Sequence, residues 1–442
     1  MQNVIDRLQR STSLKATIIA VLILVLLIPI AMIRGVIDDR MLVSSGARAD
    51  IMRSWGSEQL VAGPILVVPG EIVRSDGYGQ KVEETLLHIL PEQLDFDAVL
   101  YPEVRYRGLH KFPVYRAELR ISGTFTRPAL EGLRVRAEAL DWAGAFMALA
   151  VTDARAITAT PSLELGGRRV RFAAGGQKIS AFPPQIVAPV GALIAASEAG
   201  TSVPFELVLA LNGTDSLRFL PLGDTTGAAV RSTWPSPSFG GDYLPQSREV
   251  TDGGFSARWE VSSLGRALPS LWLQGAVDQS VALQSAFGVT LYMPVGLYQQ
   301  TLRATKYAVL FIGLSFVAYF LFETLGALQL HPLQYLLVGF ANALFYLLLL
   351  SLAEHTGFGP AYLASAVAST LLIAGYSRAV LGRTRSALLM GLVLAALYAF
   401  LYLILQAEDY AMLAGALGLW VVLAAIMYLT RRIDWYGPRG ES

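Results

Sequence analysis

The chain has 442 residues, a formal net charge of +1 and no cysteine; 54% of its residues are apolar and 16% are charged. It has no cluster of Lys and Arg residues of the kind that binds the phosphates of a nucleic acid. Without cysteine it can form no disulfide, thiol nucleophile or thiolate metal site. The charged fraction lies below the roughly 25% of ordinary soluble domains, which points to a membrane protein.

The first long apolar run covers residues 16–33. About 18 apolar residues are enough to cross a hydrocarbon core about 30 Å thick as a helix. Arg7, Arg10 and Lys15 precede the run. The run is longer than the apolar part of a signal peptide, about 7–15 residues, and no A-x-A-like cleavage site follows it. We predict an uncleaved signal-anchor helix at 16–33, after a cytoplasmic segment at 1–15.

The next segment, residues 34–306, has the pattern of a β-rich domain. Apolar and polar residues alternate along residues 115–125, 255–261 and 287–293, which is the period of a half-buried strand. Shorter apolar runs at 64–69 and 205–211 predict further strands, and frequent Gly and Pro favour antiparallel sheets joined by turns. Similar strand pairs in 115–172 and 205–262 predict a degenerate repeat with two β lobes.

One loop of this domain, residues 232–245, combines Trp234, Phe239 and Tyr243 with three prolines and two glycines. A proline-rich segment loses less conformational entropy on ordering, and exposed aromatic residues are common anchors for a partner. Two interpretations stay open. The three aromatic residues bind a ligand or partner, or they fold back as a plug over the β core.

Five further apolar runs follow, at 307–325, 333–352, 361–376, 387–406 and 410–429, and predict a five-helix bundle at 307–429. Six spans place both termini on one side. The loop 377–386 and the tail 430–442 carry arginines, whereas the loops on the other side carry acids and His355. The positive-inside rule therefore predicts cytoplasmic termini and a periplasmic β domain.

Several stretches resemble the CreD family of bacterial inner-membrane proteins, and they follow one another in the family's order. They are WGSEQLVAGPILVVP, PLGDTTGAAVRSTWPSPSFGGDYLP, HPLQYLLVG, FYLLLLSLAEHTGF, EDYAMLAG and TRRIDWY. The resemblance covers essentially the whole chain. It implies a multi-pass protein of the bacterial inner membrane that supports cell envelope integrity and a response to envelope or β-lactam stress. It implies no particular molecular activity.

Ionisable and polar groups at membrane depth are the candidate functional residues of the bundle. Glu323 and His331 lie near the inner end of the second span; they form either an interfacial acid with a loop histidine or a paired proton or ligand site. Asn342, in the middle of the third span, is expected to face another helix, because its amide would lack partners in lipid.

The outer ends of the spans carry a second group of candidates. Glu354, His355, Glu408 and Asp409 share this face, and we expect them to pair with Arg303 or Lys306 or to seat the β domain. Their spacing matches no metal motif, so no metal or cofactor is predicted. Ser351 and His355 are four residues apart, as in an activated serine nucleophile. No G-x-S-x-G elbow accompanies them, and we do not expect an enzyme.

The fold class predicted from the sequence is thus a six-helix membrane protein with a large, antiparallel, β-rich periplasmic domain between helices 1 and 2. The favoured function is envelope support, with the β domain binding an envelope polymer or a periplasmic protein and the bundle anchoring it or signalling. A transporter or lipid-handling protein is the alternative, since an oligomer of the chain can build a polar path. The lipid bilayer is the remaining partner.

Overall fold

The computed structural model describes residues 12–75, 80–128, 140–174, 182, 185–198, 200–265, 268–293, 296–325, 330–406 and 411–431. It divides into two compact units. The helical unit consists of Met1–Ser44 and Val295–Ser442, and the β unit is Ser45–Pro294.

Nine α-helices lie in the described residues. They are α1 Thr12–Trp55, α2 Gly191–Ala195, α3 Gln279–Gln284, α4 Leu297–Lys306, α5 Ala308–Leu325, α6 Pro332–Thr356, α7 Phe358–Leu381, α8 Thr384–Gln406 and α9 Ala411–Thr430.

Five of the described helices are long and apolar enough to cross a membrane: α1, α6, α7, α8 and α9. A sixth span results if α4 and α5, which are bent by 47° at a short break, are taken together. The predicted apolar runs are helical where the structure describes them, except at Tyr307, which forms the turn between α4 and α5. Helix α1 is longer than its run, because it continues through residues 34–55, a stretch that the sequence analysis places in the β-rich domain.

The helical unit packs around one apolar core, and a glycine sets the contact between α1 and α6. Leu26 of α1 is fully buried. A β-carbon at Gly339 would lie 2.1 Å from Leu26 Cδ1 and 2.9 Å from the Phe316 ring. Gly339 is the last residue of the stretch HPLQYLLVG. Close approach of this kind is what small residues provide between membrane helices.

The described part of the β unit holds 17 strands. They are β1 Gln59–Ser75, β2 Gln80–Ile89, β3 Gln93–Arg107, β4 His110–Thr126, β5 Phe146–Val151, β6 Ser162–Leu165, β7 Arg168–Arg171, β8 Ala173–Ala174, β9 Gln185–Pro189, β10 Ser202–Thr214, β11 Ser216–Phe219, β12 Thr225–Ser232, β13 Pro237–Gly241, β14 Ser247–Thr251, β15 Gly254–Ser262, β16 Leu271–Leu273 and β17 Phe287–Leu291.

These strands form two sheets within the described residues. Eight strands are arranged in the order β14-β15-β12-β3-β4-β10-β6-β7. Nine strands form the other sheet, in the order β13-β17-β11-β1-β5-β9-β8, with β2 paired to β1 and β16 paired to β2. Neighbours are antiparallel except for β1 with β11 and β12 with β3. The antiparallel prediction is correct for the remaining pairs.

The two sheets pack face to face on one core. Ring centroids of Phe96 in β3 and Phe219 in β11 lie 4.7 Å apart, and those of Trp259 in β15 and Phe287 in β17 lie 5.8 Å apart. Buried and exposed residues alternate along β10 and β15, and the sequence predicts this alternation for β15. The predicted division into two lobes is wrong, because strands from both stretches, 115–172 and 205–262, share the eight-stranded sheet.

The stretch beginning at Trp55 joins the sheets. Gly56 has a φ of +136°, and a β-carbon there would lie 2.7 Å from that of Ala156. The Thr214 hydroxyl donates to the Gly56 carbonyl at 2.7 Å, and the buried Gln59 amide donates to the Asn212 carbonyl at 2.9 Å. Beyond it, β1 is buried continuously from residue 59 to 68. The position of the stretch WGSEQLVAGPILVVP at the centre of the β unit thus explains its sequence.

One ionisable side chain is sealed inside this unit. His88 in β2 is 1% exposed, and its ring stacks on Trp272 at a centroid distance of 5.1 Å. Neither ring nitrogen has a hydrogen-bond partner among the described residues. Burial lowers the pKa of His88 from 6.5 to about 4, because the charged imidazolium would lose its hydration.

The buried His88 predicts that the β unit loses stability in acid. The His88 imidazole takes up a proton near pH 6.5 in the unfolded chain, but only near pH 4 in the folded chain. The free energy of unfolding should therefore fall through this window, by about 3 kcal/mol in all, and level off below it. Thermal unfolding of the full chain in detergent, followed by tryptophan fluorescence, measures this loss. His88→Phe should flatten the slope, and His110→Gln should keep it; equal slopes in both variants would contradict the assignment.

Candidate functional site: polar residues of the helical unit

The inner end of the helical unit holds a buried acid whose oxygens are fully engaged. Glu323, in the last turn of α5, is 4% exposed. Its Oε1 accepts from Lys15 Nζ at 2.5 Å and from the Leu330 amide at 3.1 Å, and its Oε2 accepts from the Tyr335 hydroxyl at 2.8 Å. We call these residues the Lys15–Glu323 cluster. It connects α1 and α5 with the start of α6.

His331 has a different role from the predicted pairing with Glu323. It is the N-cap of α6: its Nδ1 accepts from the Leu333 amide at 3.2 Å, and its own amide donates to Gln334 Oε1 at 3.0 Å. This reciprocal arrangement is a capping box, with Pro332 at the first helical position. Within the described residues no hydrogen bond joins His331 to Glu323, so the paired proton or ligand site does not form there.

The part of α1 that follows its apolar run makes a second ionic contact in the helical unit. Arg40 Nε lies 3.5 Å from Glu354 Oε1, and the Tyr298 hydroxyl of α4 donates to the same oxygen at 3.1 Å. Nearby, Arg34 donates to the Thr305 carbonyl at 2.8 Å. Glu354 was expected to pair with a cation; Arg40, which the prediction did not name, supplies it. We call Arg40, Glu354 and Tyr298 the Arg40–Glu354 cluster.

The remaining outer-face candidates form no reactive constellation in the described part of the chain. His355 is exposed, and its Nδ1 lies 3.1 Å from the backbone carbonyl of Ser351, one turn earlier, rather than at the hydroxyl. Glu408 and Asp409 lie outside the described residues. Among the residues that are described, no group of three His, Cys, Asp or Glu is placed to hold a metal ion.

Asn342 faces another helix, as predicted. It is fully buried, and its Oδ1 accepts from the Tyr398 hydroxyl of α8 at 3.4 Å. The Tyr398 carbonyl in turn accepts from the Tyr362 hydroxyl of α7 at 2.7 Å. Phe345 packs against Tyr398 at a centroid distance of 4.6 Å. Three helices thus meet at one polar and aromatic centre.

In the β unit, the three aromatic residues of the loop 232–245 pack onto the core. The Trp234 indole donates to the Tyr292 carbonyl at 3.1 Å. Phe239 meets the Trp259 ring edge-on at 5.7 Å, and Tyr243 meets Phe287 in the same way at 6.0 Å. All three are partly buried. This placement corresponds to the plug, the second of the two interpretations.

Sequence reasoning missed the residues that complete these clusters. The sequence analysis treats Lys15 only as part of the charge that precedes the first span, and it does not single out Tyr335 or Tyr398. A tyrosine within a membrane helix carries a hydroxyl that requires a partner in lipid. That requirement is the signal that could have found the two tyrosines.

Two comparisons with known proteins indicate the same family. The family model for inner membrane protein CreD matches residues 11–436. Inner membrane protein CreD of Escherichia coli strain K12 is 35% identical over 419 residues, which cover 94% of this chain and 91% of that protein. The chain belongs to the CreD family. It is accordingly a multi-pass protein of the inner membrane with a large β-rich region.

One solved structure with a distant likeness is an M1 zinc metallopeptidase from Deinococcus radiodurans. It is 12% identical, with a TM-score of 0.22, over 46% of this chain and 42% of that one. A likeness of that size has no bearing on activity.

The Lys15–Glu323 cluster predicts unequal effects of single and double substitutions. Removing one member of a largely desolvated ion pair leaves the other uncompensated, so Glu323→Gln should lower the free energy of unfolding of this CreD family chain by about 1–3 kcal/mol. Lys15→Met with Glu323→Gln should recover part of that loss. Thermal unfolding in detergent of the four species of the cycle provides the measurement. Strictly additive losses would show that the pair is not coupled.

Proposed function

We propose that this chain supports cell envelope integrity and the response to envelope or β-lactam stress by presenting its β unit in the periplasm. There the β unit binds an envelope polymer or a periplasmic protein, while the helical unit anchors it and relays its state. The support is membership of the CreD family together with the distribution of charge and exposed edges described below. No catalytic step is assigned.

The orientation proposed is six spans with both termini in the cytoplasm. Arg40 of α1 and Tyr298 of α4 both contact Glu354, so the chain leaves and re-enters the helical unit at the same end. Counting the helices from that end places a set of arginines, Arg378, Arg383, Arg385 and Arg431, at the opposite end. By the positive-inside rule we assign the arginine-rich end to the cytoplasm. The β unit follows α1 at the opposite end, so we assign it to the periplasm.

The absence of cysteine from the sequence makes this orientation directly testable. Leu264 is 97% exposed in the β unit, and Arg383 is exposed between α7 and α8. A membrane-impermeant maleimide should label the Leu264→Cys variant in cells whose inner membrane is intact. The Arg383→Cys variant should react only after the inner membrane is permeabilised. Labelling of Arg383→Cys alone in intact cells would reverse the orientation.

The observation that carries the binding role is an exposed edge on the β unit. The strands β13 and β14 lie at the ends of the two sheets in the described residues, and they are consecutive in the chain. Every residue of β14 is exposed. Leu244, between the two strands, is 69% exposed, and Val250 within β14 is 47% exposed. An edge strand has unpaired backbone N–H and C=O groups. An extended segment of a partner can hydrogen-bond to them and add a strand to the sheet, which is β-augmentation.

A pair of substitutions separates the two units as the seat of function. Leu244→Asp places a charge on the exposed edge without touching the core, and it should impair survival of β-lactam stress in cells lacking the native protein. Asn342→Leu, in the helical unit, should protect nearly as well as the unaltered chain. Survival is compared at equal protein levels in the membrane. Loss of protection by Asn342→Leu alone would move the function to the helical unit.

A further inference from the structure

The hairpin of β3 and β4 extends beyond the strands that flank it in the eight-stranded sheet. Within the described residues, β12 pairs with β3 only as far as Leu100, and β10 pairs with β4 only as far as Val114. The two strands of the hairpin pair with each other up to a two-residue turn at 108–109. We call residues 101–113 the β3–β4 arm. At about 3.3 Å per residue, its first strand, residues 101–107, projects by roughly 20 Å.

The arm has a fixed position, because the residues of α1 that belong to the β unit pack against it. Ile51 of α1 is buried in a small apolar cluster with Phe112 of β4. The guanidinium of Arg105 in β3 lies 3.6 Å from the centroid of the Trp55 ring. A surface that is held in place in this way loses little entropy when it binds a partner.

The outer edge of β3 is open along the arm. The turn closes on Arg107 and His110, which form a hydrogen-bonded pair of the ladder. Because such pairs alternate along an antiparallel ladder, the backbone groups of Pro102, Val104 and Tyr106 point away from β4. In the part of the chain that the structure describes, no strand pairs with β3 on this side beyond the end of β12. Proline is tolerated in a sheet at such a position, since it has no N–H to donate.

Positive charge flanks the open edge. The arm carries three cations and one acid, which are Arg105, Arg107, Lys111 and Glu103. The side chain of Arg107 is 63% exposed and lies 3.4 Å from Asp50, but the same carboxylate also pairs with Arg53. Like charges on neighbouring strands repel each other, whereas opposite charges attract. The edge therefore disfavours a second copy of β3 and favours an acidic strand.

The two faces of the arm differ in a way that specifies the partner further. Side chains alternate between the faces of a strand, so Arg105 and Arg107 share one face of β3, and Val104 and Tyr106 share the other. Tyr106 is 63% exposed. A strand that is added beside β3 places its side chains next to these residues, face by face. Acids suit the first face and apolar residues suit the second.

We infer that the open edge of β3 in the arm is a docking site for an extended segment of another protein in which acidic and apolar residues alternate. The segment hydrogen-bonds to the outward N–H and C=O groups of Val104 and Tyr106, in the manner of β-augmentation. Its carboxylates lie beside Arg105 and Arg107. This site is separate from the exposed β14 edge, and it does not depend on the binding role proposed for that edge.

Two fluorescent peptides of equal charge test the site on the full chain in detergent. The peptide EVEVEVE can form the proposed strand, whereas EPEPEPE cannot, because its prolines have no N–H and do not continue a ladder. Fluorescence anisotropy should show that EVEVEVE binds at least about fivefold more tightly, the value of one backbone hydrogen bond. Equal affinities, or no binding of either peptide, would overturn the proposal.

Variants of the arm provide the second readout. Val104→Pro removes an outward N–H and leaves the ladder with β4 intact, so it should weaken binding of EVEVEVE about fivefold or more. Arg107→Gln should weaken binding several-fold and make it less sensitive to salt. Arg171→Gln is the matched control, since Arg171 is also exposed, in β7 at one end of the same sheet. Unchanged binding in Arg107→Gln, or an equal loss in Arg171→Gln, would reject the site even if Val104→Pro failed to fold.

Hydrogen exchange locates the bound peptide. EVEVEVE should slow exchange of the backbone amides in residues 101–107 and leave those of β14, residues 247–251, unchanged. Leu244→Asp, which alters the other exposed edge, should bind EVEVEVE as tightly as the unaltered chain. Protection of β14 instead of the arm would contradict the proposal.

Discussion

The attachment of α1 to the rest of the helical unit depends on charged residues on both sides of its apolar run. Lys15 pairs with Glu323 and Arg40 pairs with Glu354, while Arg34 reaches the end of α4. Lys15 and Arg34 are 19 residues apart, or about 29 Å along a helix, which matches a hydrocarbon core of about 30 Å. Between them α1 is apolar, so the contacts there are van der Waals packing, with Leu26 against Gly339 at its centre.

The two kinds of polar residue in the helical unit are satisfied in different ways. Glu323 sits where an amide, a hydroxyl and an ammonium group all donate to it, so its burial is compensated by hydrogen bonds as well as by charge. Asn342 Nδ2 and the hydroxyls of Tyr346 and Ser365 lack such compensation among the described residues. A structural role explains the first arrangement completely.

Much of this architecture was predictable, because it rests on local patterns. Period-2 alternation identified β4, β15 and β17, and apolar runs identified β10 and every described helix of the bundle. Long-range partners were not predictable: Lys15 and Glu323 are 308 positions apart, and nothing local links them. The helix at residues 34–55 was missed because its charged and small residues hide the apolar periodicity. The two-lobe prediction failed because similar strands, wherever they occur in the chain, can join the same sheet.

The pairing of α1 with Glu323 and Glu354 also has a consequence for biosynthesis. Helix α1 leaves the ribosome first, whereas its partner Glu323 follows 308 residues later. At about 5–20 residues per second, the nascent chain exposes an unassembled membrane helix for roughly 15 to 60 s. During that time Lys15 and Arg40 have no partner acid in the helical unit. The β unit is completed in the same interval, so it has time to fold before the membrane helices assemble around α1.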